Sequence, residues 1–309
     1  EMRMNCQRLF RSATLLGLAA TLSTAGTAAG QPAGLALPER YQFMVGQDQP
    51  GFAGSMRGPL DVGPDQSIYV LAGDRVLRFG RDGGLANAWG GTGDQPGSFR
   101  GPTGIAVAPD GTVYVADGGN HRVQRFTAWG TFMGQWGQEG REKWNFASMA
   151  GLTVSHDGTV YVADNGLGQI KRFGPTGTFM SAFRASDPRD VAVSAEDRIY
   201  VAEYGASRVA VYDVEGRRLG QRTIAYCVGR SGLVGIIEYA CAPSWVTLSP
   251  DGSIYADAYG AIDHFSPTFE TLPLGAQSPS GARGLAVTHD LGLIALDSDG
   301  LTVYSAAGL

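Results

Sequence analysis

Apolar residues in this chain fall in short runs of three to six, each ended by a turn signal. The clearest stretch runs Gly104-Ile-Ala-Val-Ala108, then Pro109-Asp-Gly111, then Val113-Tyr-Val-Ala116. It continues through Arg122-Val-Gln-Arg-Phe126, which alternates, to Phe132-Met-Gly-Gln-Trp136. Runs of this length, rich in β-branched and aromatic residues and bounded by Gly, Pro and Asp, predict four short strands. Proline presets the first hairpin, and glycine supplies the positive φ that a tight turn needs.

The same unit recurs along the chain. Ile68-Tyr-Val70, Val160-Tyr-Val-Ala-Asp164, Ile199-Tyr-Val-Ala-Glu203 and Ile254-Tyr-Ala-Asp257 repeat its second strand, and a worn copy spans residues 284–297. The tyrosines at 69, 114, 161, 200 and 255 stand 45, 47, 39 and 55 positions apart. Units of roughly 40–45 residues with four strands each predict a β-propeller. The long spacing is explained by an inserted flap at about 222–243, which carries Cys227 and Cys241. The last copy ends one strand short, while Tyr41-Gln-Phe-Met-Val-Gly46 matches a fourth strand. The expectation is therefore an all-β fold of six four-stranded blades, closed when the N-terminal strand completes the last blade.

Composition narrows this further. Glycine accounts for 46 of 309 residues with no three-residue period, which excludes collagen, and only 17% is charged. A helical bundle is disfavoured, because glycine costs about 1 kcal/mol inside a helix. A net charge of −5 argues against a nucleic-acid-binding face. Arg3, Arg8 and Arg11 precede an apolar run at 13–20 and a small-residue stretch at 23–30, the layout of a secretory signal. Residues 1–29 are expected to be that signal, 30–40 a linker and 41–309 the propeller. No segment is apolar enough to span a membrane. The expected product is a monomer, secreted or periplasmic, with Cys227 and Cys241 free to form a disulfide in an oxidising compartment.

The stretch at 104–123 resembles the repeat of NHL-type six-bladed propellers. The likeness covers about 41–309 and is strongest in the second unit. Some relatives with this repeat are peptide-amidating lyases that hold zinc through histidines placed just before the innermost strand. The matching positions here are Thr103, Ala150, Arg189, Ser244 and Arg283. None is histidine, so that activity does not carry over.

Candidate chemistry lies in two places. An acid follows each second strand at Asp117, Asp164, Glu203, Asp257 and Asp297. One reading makes these a metal-binding rim. The other makes them part of the repeat, bonded to turn N–H groups and to the arginine five residues on, as in Asp117 with Arg122 and Glu203 with Arg208. Near the innermost strands, Arg189, Asp190, Trp245 and Arg283, with Tyr204 and Tyr259 beside them, are expected to ring the channel mouth as a recognition surface. The leading expectation is a non-enzymatic module that binds an extracytoplasmic protein, peptide or glycan there, with no catalytic residues, no cofactor and no nucleic acid. The alternative is a metal-dependent hydrolase or lyase, architecturally similar to lactonase-type propellers. It would hold a divalent ion such as calcium through Asp164, Asp190, Glu203 and Asp257.

Overall fold

The computed structural model describes residues 41–43, 59–224, 226–231, 235–240, 242–258, 261–272, 284–287, 293–296 and 301–304. The expected signal and linker, Cys241, Tyr259 and Arg283 lie outside the described residues. Cys227 falls on a strand whose side chains are not described.

The fold is an all-β propeller. A short strand, β1 (Tyr41–Phe43), comes first. Blade I follows as β2 (Leu60–Val62), β3 (Ile68–Ala72), β4 (Arg75–Phe79) and β5 (Leu85–Gly90). Blade II is β6 (Gly104–Val107), β7 (Val113–Asp117), β8 (Arg122–Phe126) and β9 (Phe132–Trp136). Blade III is β10 (Met149–Val154), β11 (Val160–Asp164), β12 (Gln169–Phe173) and β13 (Phe179–Arg184), and blade IV is β14 (Pro188–Val193), β15 (Ile199–Glu203), β16 (Arg208–Tyr212) and β17 (Arg218–Thr223). The insertion forms a separate hairpin, β18 (Tyr226–Ser231) with β19 (Gly235–Ala240). Blade V is β20 (Val246–Leu248), β21 (Ile254–Ala258) and β22 (Ala261–Phe265). The last sheet is β23 (Gly284–Val287), β24 (Leu293–Leu296) and β25 (Leu301–Tyr304), with β1 antiparallel to β25 so that Tyr41 faces Val303.

Among the described residues, then, five sheets have four strands where six were expected. Blade V has three. Beyond β22 the chain turns back, Thr271 bridging Phe265 and the Leu272 N–H donating to the His264 carbonyl, 2.9 Å.

The second strands read as unbroken apolar runs because both of their faces are covered. In β7 and β11 every residue is buried. Tyr69 and Leu71 of blade I pack against Ile105, Val113 and Phe126 of blade II. The intervening Ile68 and Val70 pack the other way, against Ala286, Ile294 and Leu296. The same sharing of faces joins blades II and III, III and IV, and IV and V. The core is thus the set of seams between sheets.

The outer edges of the seams from blade I to blade IV follow one rule. The hairpin between third and fourth strands carries a positive-φ glycine against an aromatic of the preceding blade's outer strand. An added Cβ would lie 2.5 Å from Trp89 at Gly130, 2.5 Å from Trp136 at Gly177 and 2.3 Å from Phe183 at Gly216. At the seam between IV and V the parts are exchanged. Phe269 occupies the hairpin position at φ 64, its ring facing Gly220, and Arg222 replaces the outer-strand aromatic and donates to the Phe269 carbonyl, 3.2 Å.

Gly130→Ala is expected to cost roughly 2–4 kcal/mol, from a clash plus a strained φ. Gly111→Ala, also at positive φ but with its nearest neighbour 3.9 Å away, is expected to cost about 1 kcal/mol. Urea unfolding of the two variants checks the order.

Candidate functional site

The acids that end the second strands are latches. Asp117 Oδ1 accepts the Arg100 N–H, 2.8 Å, and its Oδ2 accepts Arg122 Nε, Asn120 Nδ2 and Gln124 Nε2. Asp164 accepts the N–H groups of Ala147 and Ser148 and pairs with Lys171 Nζ at 3.0 Å, both side chains fully buried. Glu203 accepts the Ser186 N–H, 3.0 Å, together with the Tyr212 hydroxyl and Arg208 Nε. Each acid therefore holds the segment that enters its blade's innermost strand, and a cation from the third strand balances the charge.

Blade III reaches the same balance by another route. Gln169 stands where Arg122 and Arg208 stand in their blades, and Lys171, two residues on, reaches Asp164 instead. Asp257 is held by the Ser244 N–H and hydroxyl, both 2.6 Å, and by the Trp245 N–H, 2.9 Å. Of the four residues considered as metal ligands, Asp164, Glu203 and Asp257 are engaged in this way, and only Asp190 lines the channel. Among the described residues no group of three or more His, Cys, Asp or Glu is arranged to hold a metal ion.

The innermost strands β2, β6, β10, β14 and β20 line an open cavity of about 210 Å³. Two carboxylates enter it. Asp61 Oδ1 accepts the Val62 N–H and its Oδ2 the Val107 N–H of blade II, each at 2.8 Å. Asp190 Oδ2 accepts the Val246 N–H of blade V, 3.1 Å. Each thus braces the innermost strand of the next blade, covering an N–H that has no sheet partner on the channel side. Room for Asp190 comes from blade III, where a Cβ on Gly151 would sit 2.0 Å from its Oδ1.

These two acids do not belong to the repeat. The residue opposite the second-strand tyrosine is Asp61 in blade I, but Ala106, Thr153, Ala192 and Thr247 in blades II to V. Asp190 faces Ala202, as Gly104 faces Ala116. Enclosure away from bulk water pushes Asp61 up to about 6 and Asp190 up to about 7. The nearby Asp257 and Asp61 charges push Asp190 the same way. Burial also raises Asp257.

At the mouth, Arg189 Nη2 donates to Asp187 Oδ2, 3.1 Å, and its guanidinium stacks 4.7 Å from the Tyr204 ring centroid. Arg189, Asp190 and Trp245 all line the cavity, and Tyr204, 40% exposed, joins them through Arg189. The structure therefore brings together four of the six residues expected at the mouth; Tyr259 and Arg283 are outside the described set. Asp61 was not anticipated. Its signal was an acid at a strand position where the sister copies carry Ala or Thr. Two of the described histidines stand elsewhere: His121 Nδ1 lies 3.2 Å from the Phe146 carbonyl, and His264 stacks on Tyr255 at 4.3 Å.

A ring of short sheets whose seams form the core defines a β-propeller, and its repeats are of a recognised kind. The chain carries NHL repeats, matched by the NHL repeat family model at residues 99–126 and 186–212. Among solved structures it is similar to virginiamycin B lyase from Staphylococcus aureus, with 15% identity, 79% of this chain and 78% of that one covered and a TM-score of 0.56. It is also similar to hydrazine synthase of Kuenenia stuttgartiensis, with 17% identity, 84% and 99% covered and a TM-score of 0.58. A third similar structure is that of the RRP9 WD40 repeats, with 13% identity, 82% and 95% covered and a TM-score of 0.61. At these identities the likeness is one of fold. No curated protein matches the sequence.

Because the folded values of Asp61 and Asp190 exceed the ordinary 3.8, the folded state binds their protons more tightly than the unfolded chain. Stability should therefore fall as pH rises from about 4 to about 7. Asp190→Asn keeps a carbonyl to accept the Val246 N–H and removes the charge. The variant is expected to be more stable than the parent at pH 8 by about 1–2 kcal/mol, after allowing for water in the channel, and to show a flatter pH profile. Thermal melts from pH 4 to 8 check this.

Proposed function

We propose that this protein is a secreted or periplasmic, non-enzymatic binding module that captures a protein, peptide or glycan at the mouth of its channel. The observation that carries the reading is the convergence of Arg189, Asp190 and Trp245 on one cavity, with Tyr204 stacked on Arg189. A fixed arginine beside partly open aromatics is the composition of a binding hot spot. Arg189 is held by Asp187 and Tyr204, so little side-chain freedom remains to be lost when a ligand arrives.

The reading includes four further parts. Residues 1–29 serve as an export signal. Six units make the ring, and β1 closes it by completing the last blade. Cys227 and Cys241 form a disulfide that pins the inserted flap. The protein acts as a monomer, with Arg283 and Tyr259 completing the mouth.

The competing reading is a metal-dependent hydrolase or lyase, and it makes a different demand. It needs acidic ligands with vacant lone pairs, whereas Asp164 and Glu203 are already joined to Lys171 and Arg208. Elemental analysis of protein purified without chelator separates the two. A stoichiometric divalent ion would displace the binding-module reading.

The double variant Arg189→Ala/Trp245→Ala is expected to lose at least tenfold in ligand capture from an extracytoplasmic fraction. Its melting temperature should stay within a few degrees of the parent, because both side chains are partly open. Undiminished capture would overturn the proposed site.

A further inference from the structure

The buried acids of blades II to IV are matched by cations, Asp117 by Arg122, Asp164 by Lys171 and Glu203 by Arg208, and Asp257 of blade V is held by Ser244 and Trp245 instead. Asp61 and Asp190 have only backbone N–H partners among the described residues. Both are half-buried, both line the 210 Å³ cavity, and among the described residues neither forms an ion pair. They stand on β2 and β14, three innermost strands apart in the series β2, β6, β10, β14, whose neighbours pack against each other in turn. A carboxylate partly withdrawn from water without a cation is costly. No other blade carries an acid at the positions compared above, so the repeat itself does not require them.

The walls and the entrance define what kind of cation could meet these two acids. Ile105, Leu152 and Val246 give the cavity apolar lining, Thr153 and Thr247 add hydroxyls in the layer of Asp61, and Trp245 stands at the mouth. We propose that the channel receives an aliphatic primary ammonium group, with Asp61 and Asp190 as its anionic acceptors and Trp245 flanking the alkyl stem. The group can be a free alkylamine or a lysine side chain of a bound peptide. The inference deepens the channel-mouth reading and rests on it.

An ammonium suits this geometry better than a metal ion does. Both oxygens of Asp61 and one of Asp190 already accept backbone N–H groups. Their remaining lone pairs can take directional N–H donors, of which an ammonium has three, and a charge-assisted bond to a carboxylate is roughly twice as strong as a neutral one. A cation between the acids also relieves the repulsion between them. Binding should strengthen as pH rises from about 5.5 to 8, as the acids ionise. Asp257 is the further acid near Asp190, and Arg189, tied to Asp187, is the charge of opposite sign at the entrance.

The test is calorimetric titration of the full chain at pH 8 with n-butylamine, n-butanol, calcium chloride and a short peptide holding one lysine. Saturable binding of n-butylamine, none of n-butanol, and at least a tenfold loss in Asp61→Asn/Asp190→Asn are the expected results. A peptide arm tighter than the free amine assigns the group to a partner's lysine, and the reverse assigns it to a small amine. Equal binding of n-butanol, binding untouched by the double variant, or calcium bound in place of the amine would each overturn the proposal. Should the double variant not fold, discrimination between amine and alcohol by the parent protein decides it. If the amine fails while Arg189→Ala/Trp245→Ala still abolishes capture, only the ammonium assignment is lost and the mouth remains the binding site.

Discussion

A buried carboxylate at the end of a second strand has two obligations, and much of the propeller's inner architecture follows from them. It must accept N–H groups, and its charge must be met. The first obligation is discharged on the segment that leads into the innermost strand, which has a sheet partner on one side only. The second calls a cation to the start or middle of the third strand, as Arg122, Lys171 or Arg208. The inner rim is thereby fixed by electrostatics as much as by packing. In blade V the bonds come from Ser244 and Trp245, and that choice sets the tryptophan at the channel mouth.

Two populations of acids result, and they differ in what they are available to do. Those that recur with the repeat are saturated by their own blade. Asp61 and Asp190 occur once each, reach across to a neighbouring blade, and face the cavity without an ion-pair partner among the described residues. In a repeat protein the scaffold is written in what the copies share. Asp61 and Asp190 belong to what one copy has alone.

This is also why the two were not equally legible in the sequence. Strands, hairpins and the pairing of Asp117 with Arg122 or Glu203 with Arg208 could be read by comparing copies, since each copy confirms the next. Arg189, Asp190 and Trp245 could be located at the mouth by the same alignment. Asp61 could not. A single acid in Leu60-Asp-Val62 looks like the polar face of an ordinary strand, and only the register opposite Tyr69 places it in the channel. The Lys171 pairing was hidden for a related reason. The cation had moved two positions along the strand, staying on the same face, while a fixed spacing of five pointed to Gln169. The register shift between Pro188 and Asp190 shows the same limit, because a bulge is invisible in a residue pattern.

The glycine-on-aromatic contacts at the outer seams bear on how such a chain can change in length. Where Trp89, Trp136 and Phe183 each receive the next blade's glycine, the seams are alike. A whole unit copied or excised at blade II or III would set an equivalent ring against an equivalent glycine, so the join would be inherited intact. The seam between IV and V, with Phe269 and Arg222 in exchanged places, has no such equivalence. Among the described seams, that of blade V with blade IV is the one built this way. Among the described seams, exchange of whole units is therefore compatible with the joins from blade I to blade IV and not with the join that sets Trp245 of blade V behind blade IV.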